Sequence, residues 1–301
     1  MKNRERIKKF FQKINPTYRV AYDIRSQLEY IQRILLPSSL LPITFYGLRK
    51  YNFSLPYYLG AMNNILLRYG FLDKVVCEIG SDPLLECSRA AMLLGAREVY
   101  SYNDIIELDN SYDDKIKVIK SHFGKENAPE SFFDLIFCIA VLEHVPDITT
   151  FAETIVKALK PGGNAYLNGG PIWTSSLGHH LWFKDNNKLF AFDNEFNFLD
   201  DWYHLSMPSK EQFEKDLLSI GGGVDPEIIP HIWEMTYESD IFNRKTPTEI
   251  IQAFERIDGI KTEIVRLLDD HAANKWFDSA RKIYPEEDLR TRALEIYITK
   301  K

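Results

Sequence analysis

The pattern of apolar and polar positions between residues 75 and 104 predicts a strand, a turn, a helix and a second strand. Residues 75–77 (VVC) are apolar and β-prone. The segment after them has apolar residues at helical spacing and ends at Gly95, a typical C-cap. A second strand is predicted over residues 99–102 (VYSY). This succession is typical of the first βαβ unit of a nucleotide-binding sheet.

The same alternation continues downstream. Residues 132–141 form a nearly continuous apolar run, which predicts a buried strand. Asp147 is placed to cap an amphipathic helix that ends at residues 161–163 (PGG). Residues 164–168 are predicted to form a fifth strand, so the order of strands and helices is that of an α/β sheet.

The remaining strands give weaker signals. Between residues 105 and 131 the pattern shows no clear strand and predicts a helix over about residues 113–122. Residues 260–265 and 294–299 predict two late strands, separated by a helical stretch around residues 269–282. The C-terminal segment is therefore predicted to complete the sheet.

Other segments are predicted to lie outside the sheet. Residues 18–70 have a mostly helical pattern, are rich in aromatic rings and are interrupted by prolines. Residues 183–203 are polar with interspersed rings, which suits a cap better than a linker. Residues 209–212 (SKEQ) and 246–249 (TPTE) match capping boxes and predict two helix starts.

The turn after the first predicted strand carries the first candidate chemistry. Gly80 permits a tight turn and a close approach to a ligand, and the next helix offers free N–H groups at its N-terminus. Dinucleotide sites use the pattern GxGxxG, whereas Asp82 and Leu85 occupy the later glycine positions here. Because Asp82 and Glu78 would repel a phosphate, the loop favours a nucleoside that carries a cation.

Three motifs follow one another along the chain: residues 77–82 (CEIGSD), residues 133–145 (FDLIFCIAVLEHV) and residues 159–163 (LKPGG). In this order they resemble the glycine motif, the fourth-strand motif and the turn before the fifth strand of the class I S-adenosylmethionine-dependent methyltransferases. The resemblance covers about residues 71–170. It implies an α/β fold with a doubly wound, mostly parallel seven-stranded Rossmann-like sheet, an N-terminal helical lid and an inserted cap.

The resemblance also implies S-adenosylmethionine as the cofactor. The chain departs from the family pattern in lacking two loop glycines and in carrying Asn103 where an acid is usual, so either Asn103 or Asp104 would hold the ribose. The cofactor-binding residues implied in this way are Glu78, Gly80, Ser81, Asp82, Asn103, Asp104, Ala140, Val141, Leu142 and Glu143.

The same comparison divides the chain into four parts. Residues 1–70 are predicted to form the helical lid and residues 71–170 the cofactor-binding core. Residues 171–245 are predicted to form a substrate cap, and residues 246–301 to complete the core sheet.

A loop directly after the fifth predicted strand holds the candidate catalytic residues. Residues 169–182 (GGPIWTSSLGHHLW) would emerge at the sheet edge where α/β proteins bind ligands. His179 and His180 could accept the proton that a hydroxyl loses when it attacks a methyl sulfonium, or could be structural histidines of the loop. No metal is predicted, because neither a cysteine nor a third histidine lies at close ligand spacing.

Composition narrows the class of protein. The 301 residues are 45% hydrophobic and 27% charged, as expected of a packed globule. The net charge of −6 disfavours a general nucleic-acid binder, which needs a basic face. Three cysteines and the lack of a signal peptide predict a cytoplasmic protein with reduced thiols. No apolar run reaches the roughly 18 residues needed to span a bilayer.

Residues 1–19 are basic, in contrast to the net negative charge of the whole chain. They hold seven basic residues and one acid, with apolar residues at helical spacing. This pattern predicts a basic amphipathic helix that contacts an anionic membrane surface or a partner subunit, or alternatively a solvated arm that packs on its own domain.

Together these observations imply S-adenosylmethionine-dependent methyl transfer to a small-molecule acceptor, through a hydroxyl of a sugar, a glycan precursor or another metabolite. An NAD(P)-dependent oxidoreductase on a similar sheet is one alternative, which Asp82 and the turn at residues 161–163 disfavour. A non-catalytic S-adenosylmethionine-binding or scaffold protein is the other, and the incomplete glycine loop favours it.

Overall fold

The computed structural model describes residues 56–82, 85–103, 115–185, 188–191, 199–219 and 224–301. The predicted basic helix at residues 1–19 and most of the predicted lid lie outside these ranges.

A seven-stranded sheet forms the centre of the molecule. Its strands are β1 (Val75–Ile79), β2 (Glu98–Tyr102), β3 (Ile116–Ile119), β4 (Phe133–Cys138), β5 (Leu159–Gly169), β8 (Ile260–Leu268) and β9 (Thr291–Lys300). The strand order is β3-β2-β1-β4-β5-β9-β8; β1 to β5 are parallel, and β9 runs antiparallel between β5 and β8. The predicted doubly wound, mostly parallel seven-stranded sheet is therefore confirmed. A separate hairpin consists of β6 (Trp182–Asp185) and β7 (Lys188–Ala191).

Helices connect the strands and cover the sheet. They are α1 (Pro56–Arg68), α2 (Glu86–Leu93), α3 (Ile148–Ala158), α4 (Lys210–Leu218), α5 (Ile229–Trp233), α6 (Pro247–Glu255), α7 (Lys275–Ala280) and α8 (Glu286–Leu289). Within the ranges described, no helix is both long and apolar enough to cross a membrane.

The two faces of the sheet are packed by different helices. On one face, Ile155 of α3 and Phe254 of α6 share a buried cluster with Ile136 of β4. Phe137 alternates with Ile136 and so points to the opposite face, where its ring meets Phe71 edge-on at 6.4 Å between centroids. The central strands are therefore buried on both sides, as expected for a parallel sheet.

The helix predicted over residues 113–122 is wrong. Ile116–Ile119 form β3, an edge strand that pairs in parallel with β2. Three of its four residues are β-branched, which favours a strand, but four residues are too few for a clear alternation. Pairing with β2 stabilises the strand, and such a long-range contact cannot be predicted from the local sequence pattern.

The predicted helix starts are confirmed. The Asp147 side chain accepts a hydrogen bond from the Thr150 N–H at 2.9 Å and caps α3. Thr246 and Glu249 form the reciprocal capping box of α6. These caps satisfy N–H groups that a helix leaves without intrahelical partners.

Residues from the predicted cap and from the predicted C-terminal part share a core. Trp173, Trp202 and Leu205 are buried together with Phe277 of α7 and Leu289 of α8. The segment after β5 thus packs on the chain that leads from β8 to β9, which fixes the loop that follows β5.

Candidate active site

The predicted cofactor residues gather where the chain changes direction across the sheet. From β1 the chain proceeds to β2 and β3 on one side, whereas β4 and β5 lie on the other side of β1. Ile79 at the end of β1 is in register with Tyr102 of β2 and with Cys138 of β4. The loops after these strands therefore meet at one edge, and ligands of open α/β sheets bind at such switch points.

Gly80 brings the loops after β1 and β4 into contact. Its φ is 75°, a conformation that favours glycine, and its N–H donates to the Tyr102 carbonyl at 2.9 Å. A Cβ added at Gly80 would lie 2.5 Å from Val141 Cγ2. Both the backbone conformation and the space available therefore require glycine, and two predicted cofactor residues touch here.

Glu78 is a buried acid beside this turn. Its side chain is only 4% exposed and accepts a hydrogen bond from the Ser88 hydroxyl of α2. Burial raises the pKa of Glu78 to about 8; the Ser88 hydrogen bond opposes this shift, and the nearby Asp82 charge adds to it. A cation placed beside Glu78 would favour its carboxylate form.

The loop after β1 is held to the end of β2. The Asn103 amide donates to the Ser81 carbonyl, and the Asn103 N–H donates to the Ile119 carbonyl at 3.1 Å. The Ser81 hydroxyl is buried and has no hydrogen-bond partner in the described part of the chain. Asp82 accepts from the Glu86 N–H at 2.8 Å and so helps to begin α2. Asp104 lies outside the described residues.

The loop after β4 is held by Asn168 at the end of β5. Ala140 has a φ of 57°, and its N–H donates to Asn168 Oδ1 at 3.3 Å. The Val141 N–H donates to the Asn168 carbonyl at 3.2 Å. Leu142–His144 then form a short 3₁₀ turn.

Asn243, from the segment before α6, braces this 3₁₀ turn. Its amide donates to the carbonyls of Leu142 at 2.6 Å and Val145 at 2.9 Å, and its backbone N–H donates to the Glu143 carbonyl at 2.9 Å. The sequence did not indicate Asn243, because it is about 100 residues from its partners. Ser88 was also missed, although its place in the first turns of α2 was a usable signal.

Glu143, His144 and His180 form a second polar cluster at the same edge. Glu143 is 3% exposed; the backbone N–H groups of Glu143 and Gly170 lie close enough to lower its pKa, but no donor of the described residues meets hydrogen-bond geometry at either carboxylate oxygen. His144 Nε2 lies 4.0 Å from Glu143 Oε1, and the His144 and His180 rings meet edge-on at 5.2 Å between centroids. Burial raises the pKa of Glu143, with His144 opposing, and burial together with His144 lowers the pKa of His180 to about 3.

His179 occupies a different environment from His180. It is fully buried, its Nδ1 accepts from the Leu181 N–H at 3.2 Å, and its ring packs 5.6 Å from that of His204. Burial lowers the pKa of His179 well below its ordinary value. His179 therefore faces His204 in the interior, whereas His180 lies beside Glu143 and His144.

The fold and this edge define a class I methyltransferase. A family model described as a methyltransferase domain matches residues 60–256, which is more than half of the chain. The chain therefore belongs to this methyltransferase family, and its cofactor is S-adenosylmethionine. A search of curated proteins finds no match.

Solved structures with a similar fold are distant in sequence. One is an S-adenosylmethionine-dependent methyltransferase from Mesorhizobium loti, with 15% identity and a TM-score of 0.48 over 80% of this chain and 97% of that chain. Another is phosphoethanolamine N-methyltransferase 2 from Haemonchus contortus, with 12% identity and a TM-score of 0.48 over 91% of this chain and 59% of that chain.

Proposed function

We propose that this methyltransferase transfers the methyl group of S-adenosylmethionine to an oxygen of a small-molecule acceptor. The main support for placing the cofactor at particular residues is the close approach of Gly80 and Val141. It brings the loops after β1 and β4 together at the point where the strand order changes direction. The buried Ser81 hydroxyl and the buried acid Glu78 lie at the same edge, and a polar group and an acid together fit a nucleoside that carries a cation.

Particular residues are proposed for each part of the cofactor. Glu78 pairs with a cationic group, Ser81 and Asn103 hold polar groups of the nucleoside, and the backbone of residues 140–142 lines the adenosine side. Glu143 follows this backbone and lies between the cofactor and acceptor sides. When bound, S-adenosylmethionine supplies an electrophilic methyl group on a sulfonium. The chain contributes by holding acceptor and methyl group in a reactive orientation.

The acceptor side is proposed to be the cluster of Glu143, His144 and His180. A hydroxyl that gains a methyl group must lose its proton, and these three side chains are titratable groups that lie together beside the loop after β4. Of the two histidines predicted to be catalytic, His180 is the stronger candidate, because His179 is fully buried against His204.

The class of acceptor is proposed from the charge and the surroundings of this cluster. A net charge of −6 disfavours nucleic acid, and the buried position of Glu143 suits a small molecule better than an extended polymer. Residues 171–245 are proposed to act as the substrate cap. A cytoplasmic setting is proposed as well, supported by the three buried free cysteines Cys77, Cys87 and Cys138.

Two measurements test this function. Isothermal titration with S-adenosylhomocysteine should show saturable binding with one site per chain, whereas NAD should show none. With S-adenosylmethionine present, a set of hydroxylated metabolites is then screened for formation of S-adenosylhomocysteine and a methyl ether. Tight binding of NAD without binding of S-adenosylhomocysteine would favour the oxidoreductase. Binding without turnover of any hydroxyl, amine or thiol acceptor would favour the non-catalytic protein.

A further inference from the structure

The cluster of Glu143, His144 and His180 has the geometry of a metal site. Glu143 and His144 belong to the 3₁₀ turn after β4, and His180 belongs to the loop after β5, so adjacent strands bring them together. One ligand-type atom from each residue lies within 4.8 Å of the other two. An ion at the centre of such a triangle is at most about 2.8 Å from each atom, and bonds of roughly 2.1 Å need side-chain movements below about 1 Å.

The state of Glu143 points independently to a missing partner. Its side chain is more than nine-tenths buried. The backbone N–H groups of Glu143 and Gly170 lie beside the carboxylate, but within the described residues none donates to it with normal hydrogen-bond geometry. A buried carboxylate without hydrogen bonds is costly unless a proton or a cation compensates it. His144 Nε2, at 4.0 Å, is close enough to share an ion with Glu143 but too far for a hydrogen bond.

The hydrogen bond of His144 to the backbone leaves its other ring nitrogen, Nε2, beside Glu143. Its Nδ1 lies 2.8 Å from the Ile241 carbonyl, which can only accept a hydrogen bond, so the proton resides on Nδ1. The lone pair is then on Nε2. Histidines that bind metals usually donate their other ring N–H to a carbonyl or carboxylate in this way. The Phe242 ring packs on both His144 and His180, which limits the access of water.

We propose that Glu143, His144 and His180 bind one divalent first-row transition-metal ion, such as Zn²⁺ or Mn²⁺. One carboxylate oxygen and two imidazole nitrogens are the three protein ligands of many catalytic zinc sites, which keep a further position open. The same set also suits Fe²⁺, whereas Mg²⁺ and Ca²⁺ prefer sites made of oxygen. No metal was predicted from the sequence, because only cysteine and a third histidine near His179 and His180 were considered there, and not residues brought in from the loop after β4.

The role of the open position rests on the proposed methyl transfer. An acceptor hydroxyl in that position would lose its proton to solvent more readily, because a bound cation lowers the pKa of the oxygen it binds. The new oxygen–carbon bond would then form as the sulfur–carbon bond breaks, which leaves the methyl ether, S-adenosylhomocysteine and one released proton. His180 would act here as a ligand rather than as the base itself.

A second acidic group serves as the internal control. Asp269, Asp270 and His271 also place ligand-type atoms within 4.8 Å of one another. In contrast to Glu143, Asp269 accepts from the Ser176 N–H at 2.8 Å, and His271 Nδ1 pairs with Asp201 at 2.8 Å. These groups already have partners, so a substitution of His271 should leave metal binding unchanged.

The experiment titrates the EDTA-treated full-length protein with Zn²⁺, Mn²⁺ and Mg²⁺ by calorimetry, and with Co²⁺ by visible absorption. The expected result is one equivalent of Zn²⁺ or Mn²⁺ and little Mg²⁺. Glu143→Gln and His180→Asn should each weaken binding by more than about 100-fold, since even loss of an outer hydrogen-bond partner costs 10- to 100-fold. Asparagine tolerates the φ of 51° at position 180, so the second variant keeps the backbone conformation.

The outcomes separate this inference from the proposed function. His271→Gln should bind metal as the wild type does, and His180→Asn should keep the circular dichroism and the S-adenosylhomocysteine affinity of the wild type. No binding, binding of Mg²⁺ alone, or binding lost only in His271→Gln would overturn the metal site while leaving cofactor binding intact. Metal binding without any binding of S-adenosylhomocysteine would instead overturn the proposed function.

Discussion

Gly80 and Val141 lie so close that the loops after β1 and β4 fit together only because position 80 has no side chain. A Cβ at this position would come within 2.5 Å of Val141 Cγ2, far inside the normal contact distance. The contact joins the two halves of the sheet at the point where the cofactor is proposed to bind, and it makes Gly80 the most informative single position in the chain.

Gly80→Ala should therefore impair both stability and binding. The new methyl group must displace Val141 or the turn, and the φ of 75° disfavours alanine, so we expect a loss of about 1–3 kcal/mol in the free energy of unfolding. Affinity for S-adenosylhomocysteine should fall by more than about tenfold. Urea unfolding and calorimetry measure the two effects. Gly60→Ala in α1, where an added Cβ meets nothing within 4 Å, is the matched control and should leave binding unchanged.

Glu78 should couple cofactor binding to pH. Its pKa of about 8 means that it is mostly protonated at neutral pH in the free protein, whereas a cationic group of the ligand favours the carboxylate. Binding should thus release up to one proton, and affinity should rise with pH until about pH 8 and then level off. Calorimetry in buffers of different ionisation enthalpy measures the released proton. Glu78→Gln should abolish the release; an unchanged release in this variant would exclude Glu78 as its source.

His204 should make the folded state sensitive to acid. Burial lowers its pKa to about 4, while hydrogen bonding to the Trp173 backbone opposes the shift, so between about pH 6.5 and 4 only the unfolded chain binds this proton. Its contribution to stability is complete above pH 6.5 and is lost as the pH falls, at about 1.4 kcal/mol per pH unit. Unfolding of wild type and His204→Gln is compared at pH 7.5 and 5.5. On going from pH 7.5 to pH 5.5, the wild type should lose about 1.4 kcal/mol more unfolding free energy than His204→Gln does. Equal losses in the two proteins would contradict the inference that His204 is buried and neutral.

Asn243 should be important for the 3₁₀ turn that carries Glu143. Asn243→Ala removes the two hydrogen bonds that the amide donates to the carbonyls of Leu142 and Val145 and the one that its oxygen accepts from the Lys245 N–H. The loss should cost about 2 kcal/mol of unfolding free energy. Gln212→Ala is a suitable control, because its amide contact with Asp216 is exposed and should contribute less than about 0.5 kcal/mol. Urea unfolding of both variants measures the two effects. Equal losses of unfolding free energy would show that the hydrogen bonds of Asn243 to the 3₁₀ turn contribute no more than an exposed contact.

Much of the sheet could be predicted from the local sequence pattern, because central strands that are buried on both faces form apolar runs. β1 and β4 are mostly apolar segments followed by a turn or a loop. Asp147 and Thr246 are residue types that cap helices, which identified the starts of α3 and α6. β3 was not accessible, since a strand of four residues at a sheet edge is defined by its partner more than by its own sequence.

The candidate site was only partly accessible for a related reason. Glu78 near the end of β1 and Gly80 directly after it were indicated by a recognisable strand and the glycine turn that follows it. The juxtaposition of Glu143 with His180 depends on the pairing of β4 with β5 and on the path of the next loop, and the support from Asn243 depends on a contact across about 100 residues. Side-chain chemistry built from such long-range contacts leaves no periodic signal in the chain.

The position of β9 between β5 and β8 has a consequence for synthesis of the protein. β8 has no neighbour in the sheet other than β9, and until residues 291–300 leave the ribosome β5 presents an open edge of backbone donors and acceptors. The nascent chain must therefore protect this edge from pairing with another molecule for as long as translation of the last strand takes. A pause in translation shortly before residue 291, when β5 and β8 both lack β9, should increase aggregation more than a pause before residue 260, when only β5 does.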